Sequence, residues 1–365
     1  MTLTEISNLR LISQKIATPE FKTATEVVSR MVAIQAQDFL MSKWAIGVRL
    51  SDPAVDIVES SINKGEIVRI HVLRPTWHLI SSADIHWMMM LSTQKIKSSF
   101  KARYKELDLT ESVISKTQAI IVRKLSNGFN LTREELADEF TKSKIRTDAN
   151  RLSHILFCAE LDGLVCSGPI KKNKITYALL HEWVPKKTDL TRDEALAELA
   201  KRYFLSRFPA TLEDFTWWSN LSATDSRRAL DFVKSGFYSE TIGAQKYWFP
   251  GSFNGEISIN ESVYLLPAYD EFLISYRDRS SSLSLVNNKR TVSDNGIFYP
   301  TIVVNGQVAG IWKRTVQKDK VIIRTDFFQS PGKVVRKMAE KKAELFGKFL
   351  NKEAEVRNED DLSVS

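Results

Sequence analysis

Thr132-Arg-Glu-Glu135 is the stretch on which the reading of this chain turns. It is a capping box. The threonine hydroxyl accepts from the third helical amide, the glutamate accepts from the threonine's own amide, and two orphan donors are satisfied reciprocally. A helix therefore begins here. Upstream, Val113, Ile114, Ile120, Ile121 and Leu125 recur at helical spacing, and the turn Ser126-Asn-Gly-Phe-Asn130 ends that run. Downstream, Leu152, Ile155, Leu156 and Ala159 mark a third helix over residues 150–161, closed by Asp162-Gly163. Leu164-Val-Cys-Ser167 and Lys174-Ile-Thr-Tyr-Ala-Leu179 then read as strands joined by a basic turn at 168–173. Three helices followed by a β-hairpin spell a winged helix-turn-helix.

The same order returns on both sides. Residues 191–208 form a helix with Leu196, Leu199, Ala200 and Phe204 on one face. Thr211-Leu-Glu-Asp214 opens the next with an acidic third position, residues 223–234 supply a third, and Phe237-Tyr-Ser-Glu-Thr241 and Gln245-Lys-Tyr-Trp-Phe249 flank a turn. At the N-terminus, a helix over 4–16 precedes the box Thr23-Ala-Thr-Glu26, a helix over 53–63, and strands Ile67-Val-Arg-Ile-His-Val72 and Thr76-Trp-His-Leu-Ile80. Residues 82–110 insert an extra helical stretch. From about residue 256 strands dominate, with Asn305-Gly306 placed as a two-residue hairpin turn, and residues 333–350 form a basic closing helix.

The expected fold class is α+β, a tandem array of winged-helix modules followed by a small C-terminal β-barrel. The modules are expected at 1–110, 111–187 and 188–255, the barrel with its closing helix at 256–350, and a flexible tail at 351–365.

The chain has 365 residues, 43% hydrophobic and 26% charged, enough for several ordinary cores. With 52 Lys and Arg against 44 Asp and Glu, the formal charge is +8. That balance favours a polyanionic partner such as nucleic acid. No apolar run approaches a membrane span, and the N-terminus lacks a basic region before an apolar core, so a cytoplasmic protein is expected. Two cysteines and scattered histidines make no zinc site, and no cofactor is implied.

Candidate sites follow from polar groups in apolar settings. Gln35 and Gln37 interrupt the mostly apolar run of residues 31–50, and an unpaired buried amide costs roughly 1–3 kcal/mol. Two residues apart on a continuing α-helix, they would point about 200° from each other. Acting together requires a helix end or an extended turn. Arg74, Thr76 and His78 alternate, which on a strand brings cation, hydroxyl and imidazole to one face. Asp270 and Tyr276 lie in the charged run Tyr269-Asp-Glu-Phe-Leu-Ile-Ser-Tyr-Arg-Asp-Arg279. Its Arg277, Asp278 and Arg279 read as a structural ion network. Lys171, Lys172, Lys174, Arg227 and Arg228, on wings and third helices, are candidate phosphate contacts.

Ile34-Gln-Ala-Gln-Asp-Phe39, Leu73-Arg-Pro-Thr-Trp-His-Leu79, Leu265-Leu-Pro-Ala-Tyr-Asp-Glu-Phe-Leu-Ile-Ser-Tyr-Arg-Asp-Arg279 and Gly296-Ile-Phe-Tyr-Pro-Thr-Ile-Val-Val-Asn-Gly306 resemble, in order, signatures of the AlkZ/YcaQ family of winged-helix DNA glycosylases. The resemblance implies a catalytic Gln-x-Gln, matched by Gln35 and Gln37. Gln37 stands where the YcaQ-like branch has Asp, which is similar to the AlkZ branch. It also implies action on alkylated and crosslinked bases in double-stranded DNA.

An amide cannot act as a base at neutral pH and can only orient a water. That suffices where the leaving base is already cationic, as an N7- or N3-alkylpurine is. The expectation is a monofunctional, monomeric glycosylase without a lyase step. The competing reading is a non-enzymatic winged-helix DNA-binding regulator or scaffold.

Overall fold

A computed structural model describes residues 1–148, 150–184, 190–254 and 261–358. They form two compact units: residues 1–58, 197–218 and 222–365 make one, and residues 59–196 with 219–221 make the other.

The second unit shows the order expected from its capping box. Thr132 and Glu135 exchange both box hydrogen bonds at the start of helix Arg133–Lys142, between helices Glu111–Leu125 and Arg151–Leu161. Strands Val165–Lys171 and Lys174–Leu179 pair antiparallel, and Leu131–Thr132 adds a third strand outside Lys174–Leu179. Ile121, Leu125, Leu136, Phe140, Ile155, Leu156 and Leu179 form the core these elements enclose.

The basic turn is shorter than expected. The strand runs on to Lys171, and only Lys172 and Asn173 turn, with φ 49° and 63°. Positive φ at both central residues matches the twist of the hairpin. Gly168-Pro169 looks like a turn but lies in an irregularity between Ser167 and Ile170. A Cβ on Gly168 would sit 2.8 Å from the Thr176 hydroxyl.

The same unit holds the hairpin of Ile67–Val72 and Thr76–Ser81 and the helices Ile85–Ser99 and Lys101–Glu106.

The first unit opens with helices Leu3–Ser13 and Ala24–Met31, each behind a complete capping box. The Thr211 box is complete too, despite its shorter acid: Thr211 N donates to Asp214 and Asp214 N to the Thr211 hydroxyl, both at 3.0 Å. Helix Ala223–Val233 and the hairpin Phe237–Ile242 with Gln245–Pro250 follow.

The C-terminal region is a curled half-barrel, an open five-stranded sheet among the described residues rather than a closed barrel. Asn305 and Gly306, at φ 48° and 81°, make the expected tight turn between Thr301–Val304 and Gln307–Val316. Inside the curl, Trp44 and Trp312 each meet Phe346 at 5.1 Å and donate to the carbonyls of Leu265 and Leu266. Phe346 belongs to the closing helix Lys333–Phe349.

The expected flexible tail is corrected over its first part. Glu353–Asn358 is a strand paired parallel with Lys320–Phe327. Its alternation of Glu353, Glu355 and Arg357 with Ala354 and Val356 is that of an edge strand, and Lys320 pairs with Glu355 at 2.6 Å. Charge density disguised it as solvated chain. Residues 359–365 lie outside the described residues.

Candidate active site

Helix Ala24–Met31 stops before the glutamines. Val32, at φ 63°, breaks the helical path, an uncommon conformation for a β-branched residue. Ala33–Gln35 then runs as a strand, and Asp38 holds an extended backbone at φ −97° and ψ 107° while capping helix Phe39–Gly47 through Met41 N at 3.0 Å. That helix is apolar nearly all round, so no amphipathic stripe announced it. Gln35 is 7% exposed, and Gln37 is open to solvent.

The segment is clamped from beneath by an ion pair. Glu271 accepts the Gln35 backbone N–H at 3.1 Å, and Arg207 donates to the Ala33 carbonyl at 3.1 Å. Arg207 and Glu271 meet at 2.9 Å with neither side chain exposed. Glu271 also accepts from Trp218 at 2.9 Å and from the Ser275 hydroxyl at 2.5 Å, and Arg207 lies 4.3 Å over the Trp218 ring. A buried ion pair holds together only when its remaining lone pairs and protons are satisfied in this way. On the far side of Gln37, Arg314 grips both Asp38 oxygens, at 3.0 and 2.7 Å.

Asp270 and Tyr276 support this frame as buried structural groups. Asp270 pairs with Arg49 through both oxygens at 3.0 Å and caps the short helix Glu271–Ile274. Tyr276 accepts from Gln14 and donates to the Arg207 carbonyl at 2.9 Å. Burial pushes its hydroxyl up to about 12, so it is a neutral donor.

A third pair joins Arg10 to Asp214 at 3.5 Å. Burial raises the Asp214 carboxyl above its ordinary range, against the opposing pull of Arg10 and the backbone amides of Thr211, Arg277 and Asp278. The Arg277–Arg279 run thus contributes two backbone N–H groups to Asp214, where a side-chain ion network was expected.

Arg74, Thr76 and His78 belong to the second unit. Arg74 sits in the hairpin turn and not on the strand, so the single strand face expected for the three residues does not form. His78 is fully buried, with Nδ1 2.9 Å from the Thr76 carbonyl. The same hairpin buries His71 against Glu160 at 2.6 Å, between Trp77 and Phe157. Sequence spacing pointed to neither.

Of the expected phosphate contacts, Lys172 is exposed at the tip of the Val165–Leu179 hairpin. Lys171 pairs with Glu135 at 2.6 Å and Lys174 with Glu134 at 3.3 Å. Arg227 and Arg228 are exposed on helix Ala223–Val233. Among the described residues no His, Cys, Asp and Glu group could hold a metal ion, and no helix is long and apolar enough to cross a membrane.

The chain is 24% identical over 344 residues, 87% of its length and 89% of the relative's, to an interstrand DNA cross-link repair glycosylase of Streptomyces sahachiroi. The solved structure of the Streptomyces sahachiroi DNA glycosylase AlkZ shares its fold, with a TM-score of 0.79 and 19% identity, covering 98% of this chain and 99% of that one. The model of the DNA glycosylase AlkZ-like family matches residues 28–349, from the helix before the glutamines to the end of the closing helix, and the chain belongs to that family.

Proposed function

We propose that this protein is a monofunctional DNA glycosylase. It hydrolyses the N-glycosidic bond of cationic N7- or N3-alkylpurines, or of crosslinked bases, in double-stranded DNA, with Gln35 and Gln37 positioning the attacking water. One observation carries the reading: the Gln-x-Gln leaves its helix at Val32 and is held non-helical between the Glu271 clamp and the Asp38 cap. The 200° divergence of a continuing helix then no longer separates the two amides. The glycosylase name of the Streptomyces relative supports the reaction class.

A carboxamide orients water without taking its proton, which is adequate when the departing purine carries its positive charge from the start. No amine is assigned as a covalent nucleophile, so no lyase step follows.

The order of three helices and a hairpin in residues 111–187, with its counterpart in 188–255, supports winged-helix modules as the DNA-binding scaffold; in 1–110 the additional helix Phe39–Gly47 interrupts that order. Lys171, Lys172, Lys174, Arg227 and Arg228 would contact phosphates, and Arg74, Thr76 and His78 would line the DNA path.

Duplex containing N7-methylguanine tests the reading. Release of free base by the wild type and its loss in Gln37→Ala are expected. No release from that duplex or from a crosslinked one would overturn it.

A further inference from the structure

Next to the glutamines lies a set of aromatic rings that the water-positioning reading does not use. Tyr269 precedes the Asp270 cap and has a left-handed backbone, φ 57°. Such strain in a non-glycine residue persists only where its surroundings impose it, and it concentrates at functional sites. Two residues on, Glu271 accepts the Gln35 backbone N–H at 3.1 Å, which puts Tyr269 on the segment that clamps the glutamines. Burial chiefly, then the negative charges of Asp38 and an ionised Tyr299, raises its hydroxyl above the ordinary phenol range. Its ring lies 6.3 Å from Phe298.

Phe298 and Tyr299 are held in turn by the long connection before Thr301–Val304: Val292 bridges Phe298, and Tyr299 N donates to the Thr291 carbonyl at 3.0 Å. Arg279 covers Phe298 at 4.9 Å and Trp217 at 5.6 Å. Tyr299 stays 38% exposed and Ile297 42%, so the cluster is open on one side.

We propose that Tyr269 and Tyr299 form an open stacking wall beside the Gln37-Asp38 turn that takes up the cationic purine of the damaged nucleotide. This rests on the glycosylase reading and names how its substrate is chosen. A positively charged ring system is drawn to the negative face of an aromatic ring, whereas an undamaged purine gains only ordinary stacking. Arg314 holds both Asp38 oxygens and offsets much of that charge, and the rings supply the face on which the cation stacks. An open wall also admits a bulky adduct that an enclosed base pocket would reject.

The test measures binding to a duplex carrying N7-methylguanine on a 2′-fluorinated sugar, which resists hydrolysis, against the same duplex unmodified. Tyr299→Ala and Tyr269→Ala are each expected to weaken binding of the methylated duplex about tenfold and to weaken the unmodified duplex far less. Tyr269→Phe, which keeps the ring, should bind as the wild type does. Equal weakening on both duplexes, no weakening on either, or a Phe variant as weak as the Ala variant would each overturn the wall. Failure of the wild type to release base from ordinary N7-methylguanine duplex would instead overturn the glycosylase reading, while the binding comparison stays readable.

Discussion

Arg207 and Glu271, 64 residues apart in sequence, meet at 2.9 Å with both side chains fully shielded from solvent. Between them they hold the Ala33 carbonyl and the Gln35 amide. Removing one partner leaves the other charge buried and uncompensated, a cost of about 3–5 kcal/mol. Glu271→Gln is therefore expected to lower the unfolding free energy by that order in urea titrations. Replacing both residues with apolar ones of similar volume should cost less than the single change. Additive losses would show that the pair does not act as a unit.

The glutamines separate differently. Gln37 is solvent-exposed, so Gln37→Ala should leave the urea midpoint nearly unchanged, within about 0.5 kcal/mol, while lowering the rate of base release on the order of 100-fold. Gln35 contributes its backbone N–H to Glu271. Gln35→Ala keeps that bond, and Gln35→Pro removes it. Single-turnover base release and urea denaturation measured in parallel should show both variants slow and only the proline variant strongly destabilised.

Glu139 provides a pH-dependent case. Hydrogen bonds from Lys124 and Lys142 hold its carboxyl down to about 2. A depressed acid contributes stability that is present above its unfolded value, near 4.5, and lost as pH falls toward the folded one. Thermal midpoints of wild type and Glu139→Gln should therefore differ at pH 6, by a small amount that added salt reduces, because both lysine partners reach into solvent. They should converge as the pH approaches 2. A difference that grows on acidification would contradict this pairing.

Much of the fold was legible because its signals are local. Thr23 with Glu26, Thr132 with Glu135, and Asn305 with Gly306 act within a few residues and form as the spacing requires. Gln35 and Gln37 stood out as amides in an apolar run. Their clamp did not, because Arg207 and Glu271 meet only through the fold, and the denser charge of Arg277–Arg279 drew the eye from Glu271. Helix Phe39–Gly47 and strand Glu353–Asn358 were missed for opposite reasons. One is apolar nearly all round, and the other carries so much charge that its alternation reads as solvated chain.

Gly347, in helix Lys333–Phe349, sets two rules against each other. Helix propensity alone makes Gly347→Ala stabilising by up to about 1 kcal/mol. Packing opposes it: a Cβ there would lie 2.8 Å from the Cβ of Ala354 and 2.9 Å from the Lys352 carbonyl. Both belong to the segment that turns back into strand Glu353–Asn358, and the glycine lets that strand lie directly on the helix. Backbone cannot move aside as a flexible side chain can, and forcing an extra methyl into a close contact costs typically 1–3 kcal/mol. The steric term outweighs the propensity gain, so Gly347→Ala should destabilise the half-barrel, with amide exchange accelerated first along residues 353–358. Removing residues 352–365 relieves the clash. In that shortened chain the sign should reverse, with Gly347→Ala raising the melting temperature relative to the truncated parent. A substitution that destabilises both chains would place the steric conflict elsewhere.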